Sequence, residues 1–397
     1  MNADSKSRFA SSLAKHEDPK VAVDQAVEEI QSALDGQPDL TFVFISQFDS
    51  DGVALIHDHL KERLNSRVLL GCTAESVVGV DAEIEMEPAI ALWSATLPGT
   101  DLHPFHLTFE NTPDGSTILG WPDTMDSWPD AASMILLPEP FTFPTDYLLE
   151  RLKDDRPRTR VMGGVASGGT AEGQNRLLIN DDSHSAGCVG IVLDGGVTVD
   201  TIVSQGCRPI GKPMVVTRAE RNIIAELGGK PAYDQLAELF ESLPNAEKKL
   251  VQQQLHLGIV TSEYRDNFEA GDFLVRNVLG VDPEQKVIAI GNYVRVGQTV
   301  QFHVRDELSA DTDLTQRLSR NKAAGGDILA ALMFTCNGRG TRMFSIANHD
   351  ANAVHHGFGP IPMAGFFAQG EIGPVADENF VHGFTASIAL FREACDE

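Results

Sequence analysis

The sequence predicts an α/β fold made of two related halves, with mixed β-sheets flanked by helices and an internal strand-helix-strand repeat. Three observations carry this. Short apolar runs rich in β-branched and aromatic residues alternate with amphipathic helical patterns. The same order of elements recurs along the chain, which exposes a repeated structural unit. At 397 residues with 42% hydrophobic content, the chain exceeds what one core usually holds, so two domains are expected.

The first helix is expected from Asp18 to Leu34, where Val23, Val27, Ile30 and Leu34 fall at helical spacing with acidic residues between them. Pro38 ends that run. Leu40 to Ser46 is a short apolar strand suited to burial on both faces. Asp49, Asp51 and Gly52 then open a helix lined by Val53, Ile56, Leu60 and Leu64, and the chain returns as the strand Arg67 to Glu75, which ends in small and polar residues. The unit repeats as Met134 to Leu137, a helix around Tyr147 to Leu152, and Arg160 to Gly169. It repeats again as Ala330 to Phe334, a helix-length insertion, and Ile361 to Glu371. Hairpin signals lie between these copies, in Gly187 to Val203 with Asp194-Gly195-Gly196 as the turn, and in Lys286 to Arg305 with Gly297-Gln298. Gly228-Gly229-Lys230-Pro231 punctuates the weakest joint. The expected division is a tail over 1–20, an N-terminal domain over 21–222 and a C-terminal domain over 223–397.

Bulk chemistry excludes several classes. Asp and Glu total 57 against 31 Lys and Arg, a formal charge of -26, and such a surface repels phosphate backbones and anionic lipid. Neither nucleic acid nor membrane is an expected partner. Met1 to Lys20 lacks the apolar core of a secretory signal, and no apolar stretch approaches the ~20 residues that span a bilayer. The five cysteines, Cys72, Cys188, Cys207, Cys336 and Cys395, are odd in number and widely spaced, which fits neither a disulfide framework nor a CxxC zinc site. A cytoplasmic location is expected.

Several motifs together resemble the FIST family, over nearly the whole chain. In the first half they are Pro38-Asp39-Leu40 leading into Phe42-Val43-Phe44, Gly71-Cys72-Thr73-Ala74-Glu75, and Gly163-Gly164 with its glycine-rich continuation. In the second half they are Cys336-Asn337-Gly338-Arg339-Gly340, Pro362 to Phe367, and Gly370-Glu371-Ile372-Gly373-Pro374. The resemblance implies a sensory ligand-binding module with amino acids as the suspected ligands; the family also occurs in a eukaryotic ubiquitin-ligase substrate receptor. No kinase, cyclase, methyl-accepting or F-box-like segment is recognisable, so a stand-alone form signalling to a separate, unidentified partner is expected. No cofactor is implied.

The strongest site candidate joins Cys336, Asn337, Gly338 and Arg339 to Gly365, Gly370 and Glu371. Glycines let backbone approach a ligand, and a guanidinium grips a carboxylate through two parallel hydrogen bonds. Glu371 would receive an ammonium group, so the pair suits an amino acid zwitterion; the competing reading has Arg339 and Glu371 pair with each other or with backbone to fix the loop. The equivalent N-terminal loop offers Cys72, Thr73 and Glu75 where an apolar strand turns polar, the end of an α/β sheet where ligands usually sit. No catalytic residue is assigned, although Cys72 or Cys336 would serve a thiol-dependent hydrolase or transferase if a base or positive charge stood beside it. A protein-docking scaffold is the third alternative.

His349, Asp350, His355 and His356 form the densest histidine cluster, but their spacing matches none of the usual helical ligand patterns, and no metal site is assigned. Asn348 to Pro360 reads as a loop over the site carrying solvated histidines. His57 and His59 lie two apart on a helix and read as surface residues. Gly163 to Gly173 matches neither the dinucleotide nor the phosphate-loop pattern and reads as a turn element of the repeat.

Overall fold

The computed structural model describes residues 6–113, 115–123, 132–263, 268, 270–376 and 378–394. The chain divides into two compact units, residues 1–204 with 315–397, and residues 205–314. The fold is mixed α/β, and the strand-helix-strand repeat organises the first unit.

In chain order the elements fall into three modules. The first holds β1 (Arg8–Lys15), α1 (Pro19–Ala33), β2 (Leu40–Ser46), α2 (Ser50–Leu64), β3 (Val68–Ala74), the hairpin β4 (Ser76–Val78) and β5 (Glu83–Glu85), and β6 (Ala89–Thr96). The second holds β7 (Thr100–Thr112), β8 (Gly115–Leu119), β9 (Ser133–Pro138), α3 (Thr145–Asp155), β10 (Arg160–Gly164), the hairpin β11 (Leu177–Ile179) and β12 (Asp182–His184), and β13 (Cys188–Gly195). The third opens with β14 (Val197–Gln205) and is then interrupted by the second unit. That unit contributes β15 (Cys207–Glu220), β16 (Ile223–Leu227), β17 (Lys230–Pro231), α4 (Ala232–Ser242), α5 (Asn245–Gln254), β18 (Leu255–Val260), β19 (Phe273–Asp282), β20 (Val287–Ile290) and β21 (Thr299–Arg305). Module three resumes with α6 (Glu307–Ala323), β22 (Ala330–Cys336), α7 (His349–Phe358), β23 (Met363–Ala368), the hairpin β24 (Glu371–Val375) and β25 (Glu378–His382), and β26 (Thr385–Glu393).

Each module builds one sheet, ordered β1-β6-β2-β3-β11-β12, β8-β7-β13-β9-β10-β24-β25 and β14-β26-β22-β23-β4-β5. The central pair is parallel in all three, β2 with β3, β9 with β10 and β22 with β23. The hairpins are exchanged cyclically, β4–β5 onto β23, β11–β12 onto β3 and β24–β25 onto β10. The inner faces meet in one core that includes Phe42, Phe44, Trp93, Ile135, Leu137, Phe334, Phe366 and Phe391. Burying both faces of the parallel strands explains why β2, β3 and β22 are buried along their whole length.

Local chemistry sets the helices. Asp18 accepts from the amides of Lys20 and Val21 at the start of α1, with Pro19 in the first turn, and Asp49 caps α2 through Gly52. Ala22, Val23, Ala26, Val27 and Ile30 then pack α1 into a core shared with Val53, Ile56 and Leu60 of α2. One glycine recurs for a shared reason. In the parallel register Gly71 faces Val43, Gly163 faces Leu136 and Gly365 faces Met333. A Cβ at those glycines would sit 2.2, 2.0 and 1.8 Å from the facing carbonyl oxygen, closer than any real contact.

The second unit closes β15, β21, β18, β19, β20 and β16 into a ring of antiparallel strands, because β15 pairs with both β21 and β16. Its core holds Val216, Ile224, Leu257, Ile288, Val300, Phe302 and Val304. The ends of this insertion touch, since the Gln205 amide donates to Asp313 at 2.9 Å. Gly228 and Gly229 form the turn between β16 and β17, inside this unit.

Four expectations change. Asp194-Gly195-Gly196 does turn the chain, but β13 and β14 lie in different sheets; Gly195, at φ +98, has the Gly99 carbonyl 2.3 Å from where a Cβ would stand. Likewise β20 and β21 are not hairpin partners, because Gly297 and Gln298 bond to Val216 of β15 instead. Asn348 to Pro360 is mostly helix, ended by Gly359 at φ +86. His57 is also not a surface residue: it is buried, its Nε2 lies 2.8 Å from the Asn180 carbonyl, and burial lowers its pKa. Cys395 lies outside the described residues.

Candidate functional site

The carboxyl ends of the three parallel pairs meet in one place, which brings the two expected loops together. Counting from the recurrent glycine, Ala74, Ala166 and Ala368 are equivalent, and all three are buried in the shared core. One residue further, Glu75, Ser167 and Gln369 are equivalent. The amide of Ser167 donates to the Thr73 carbonyl (3.3 Å) and that of Gln369 to the Val165 carbonyl (3.0 Å). The third link of this ring would run from the Glu75 amide to the Phe367 carbonyl. Instead the Ser167 hydroxyl stands between them, accepting from Glu75 at 3.0 Å and donating to Phe367.

The connections that leave these strand ends break the symmetry. From β2 to α2 the link is 47–49 and from β9 to α3 it is 139–144, whereas from β22 to α7 it is 337–348. From β3 to β4 only residue 75 intervenes and from β23 to β24 only 369–370, whereas 165–176 joins β10 to β11. Long connections on a rigid scaffold are where function concentrates. The 165–176 segment consumes its own amides: Gly169 donates to the Asn175 side chain, Thr170 to that of Gln174, and Ser167 and Gly168 to Thr73. Asn175 in turn donates to the buried Glu139, which also accepts from Phe141 and Thr142. With these donors committed, the segment is a turn element.

The 337–348 segment is anchored from within. Arg339 is fully buried and grips Asp350, Nε to Oδ2 at 2.6 Å and Nη2 to Oδ1 at 2.8 Å. Asp350 also accepts from Thr335 (2.6 Å), and its Oδ1 lies 2.9 Å from His349 Nδ1. Phe344 lies under the guanidinium at 5.1 Å and stacks on His349 at 3.4 Å. Burial opposes the charge on Asp350, but the Arg339 guanidinium outweighs it and holds the carboxyl below the usual range. Glu83 of the exchanged hairpin completes the cluster, accepting from the Ala351 amide at 3.0 Å. Burial, reinforced by the charge of Asp350, pushes its pKa up to about 7. Two atoms here are buried without a hydrogen-bond partner, Arg339 Nη1 and Glu83 Oε2.

Arg339 and Glu371 therefore share a neighbourhood without pairing. Glu371 is buried and accepts from the Thr385 amide (3.0 Å) and hydroxyl (2.8 Å), while Asp350 takes the guanidinium. Gly365 serves strand packing, and the Gly370 carbonyl accepts from Val165. Asn337 donates its amide to Ala368, and the Gly338 amide points at Cys336 Sγ, 3.4 Å away. Cys72 is fully buried, which pushes its thiol far up and leaves it inert at neutral pH. Thr73 accepts from the Arg176 amide, and Glu75 pairs with Arg342 at the surface. Among the described residues no group of three His, Cys, Asp or Glu is placed to hold a metal, and no helix is long and apolar enough to cross a membrane. Sequence reasoning missed Glu83, which no motif marks, and grouped Asp350 with the histidines rather than with Arg339.

The family model for the FIST N domain matches residues 39–230, and that for the FIST C domain matches 232–374. The chain belongs to the FIST family. FIST domains are sensory, signal-transduction domains. An uncharacterized protein of Mycobacterium tuberculosis is 42% identical over 375 residues, covering 94% of this FIST chain and 96% of the relative. An uncharacterized protein of Mycobacterium bovis is 42% identical over 380 residues, with the same coverages. A PurLQS structure from Thermotoga maritima covers 98% of this chain and 72% of its own at 9% identity, with a TM-score of 0.23, too low to carry any argument about fold.

Proposed function

We propose that this protein senses a small polar metabolite at the meeting point of the three strand ends and passes its state to a separate partner. The observation that carries the reading is the pair of buried, unpartnered atoms around Asp350. Arg339 Nη1 is a donor and Glu83 Oε2 an acceptor, and each costs stability until something bonds to it. A small molecule with an acceptor at one end and a donor at the other, such as an α-amino acid, matches that need. Asn337, Gly338, Cys336, Thr73 and Glu75 would line its approach, with Gly365, Gly370, Cys72 and Glu371 in the walls.

A thermal-shift panel of amino acids and related small acids tests this. A true ligand at 100 times its Kd stabilises by about 2.7 kcal/mol. Arg339→Lys, which keeps a cation for Asp350 but removes the spare nitrogen, is expected to abolish that shift. An unchanged shift removes Arg339 from the site, and silence across the panel with the wild-type protein removes the metabolite reading in favour of a docking role.

A further inference from the structure

We infer that the junction between the ends of β3 and β23 is the one of the three that loosens most readily, and that the Ser167 hydroxyl is its latch. The inference deepens the metabolite reading, because the seam at this junction borders the segment that carries Arg339, but its evidence is independent of any ligand. At two of the three equivalent junctions backbone meets backbone, Ser167 to Thr73 and Gln369 to Val165, and the second is doubled by the Val165 amide donating to Gly370 at 2.8 Å. At the third, one side-chain oxygen makes both bonds, to the Glu75 amide and the Phe367 carbonyl. A change of one χ1 rotamer breaks both at once, whereas opening either of the others requires the backbone to move.

Beside the latch the seam is crossed by the ladder of β4 on β23, Val77 with Phe366 and Val78 with Gly365, and by the bonds of Glu83 to Asn348 and Ala351, which stay in place when the latch turns. The other ties come from the 337–348 segment and lie on the surface. Thr341 bonds Glu85 through its amide (2.9 Å) and hydroxyl (2.7 Å), and Arg342 bonds Glu75. The Arg342 side chain is 49% exposed, so water competes for that pair. The deep anchor, Arg339 on Asp350, holds the segment to α7 and not to the first module. When the latch turns, the Glu75 amide and the Phe367 carbonyl are freed and offered to whatever enters.

Amide hydrogen exchange on the full-length protein, without added ligand, tests this. In the wild type the Glu75 amide is expected to exchange faster than those of Ser167 and Gln369. In Ser167→Ala its exchange should rise about tenfold, as loss of one net hydrogen bond implies, with Gln369 unchanged, and Ser167→Thr should restore the wild-type rate. Equal protection of the three amides in the wild type, a rise shared by all three in Ser167→Ala, or no rescue by threonine would each overturn the latch. A silent metabolite panel with selective Glu75 exchange would instead leave the latch standing and remove only the proposed ligand.

Discussion

One buried pair of ionisable groups in each unit is accommodated in opposite ways. In the first, charge is kept inside by pairing it, as Arg339 with Asp350. In the second, His256 and His303 face each other across β18 and β21 and are kept neutral: burial lowers both pKa values to about 4. A paired charge makes a cluster that fails when one partner is removed; a neutralised one makes a cluster that fails when protons are added. The units should therefore respond to different insults.

The largest effect is expected from Arg339→Ala. It strands the Asp350 carboxylate in the interior, and breaking a buried pair from one side typically costs ~3–5 kcal/mol. Urea unfolding should show that loss in the first unit, with amide protection in β18 and β21 little changed. A loss below ~1 kcal/mol would mean that water reaches Asp350 and that the cluster is not sealed.

Acid and base should next separate the units. His256 and His303 bind protons near pH 6.5 when unfolded but only near pH 4 when folded, so their stabilising effect is complete above 6.5 and is lost as pH falls towards 4. A displacement of that size corresponds to ~3 kcal/mol for each imidazole. Glu83 has the opposite sign. Its folded value near 7 lies above the unfolded 4.5, so its contribution is complete below 4.5 and is lost as pH rises through 7. Exchange measured unit by unit between pH 4.5 and 7 should show the second unit gaining protection while the Glu83 cluster loses it. Glu83→Gln should flatten only the latter trend, and a uniform response of both units would end the contrast.

How much of this was legible in the sequence depends on whether the signal was periodic or positional. Apolar periodicity located β2, α2 and β3, and the recurrence of that pattern found all three modules, because strand burial and helix amphipathicity leave a local trace. Of the glycines at 71, 163 and 365, the last reads from sequence as part of the ligand site and the second as a turn element of the repeat. Their role became clear only once parallel pairing placed the carbonyls of Val43, Leu136 and Met333 against them. Asp194-Gly195-Gly196 announced a turn but not that the chain changes sheets there. The exchanged hairpins were invisible because strand pairing is set by tertiary packing, and with them went Glu83, which reaches α7 from another module. Arg339 stood out as an arginine able to grip a carboxylate, but its partner was chosen by the fold of 337–348.

Arg342 gives the smallest and most discriminating test, since it lies three residues from Arg339 on the same segment and also pairs with a carboxylate, that of Glu75. The chemistry is alike and the surroundings are not: Arg339 is sealed, whereas Arg342 keeps about half its side chain in water. Exposed pairs of this kind contribute ~0–1 kcal/mol, because solvent screens the attraction and the long side chain loses rotamer freedom when held. Arg342→Ala should therefore shift the unfolding midpoint by less than a tenfold change in equilibrium, and added salt should abolish even that difference. It should still loosen the seam, raising Glu75 exchange while global stability barely moves. If Arg342→Ala instead destabilised the protein as much as Arg339→Ala, the segment would be a single structural tie from end to end, and burial would not be what distinguishes its two arginines.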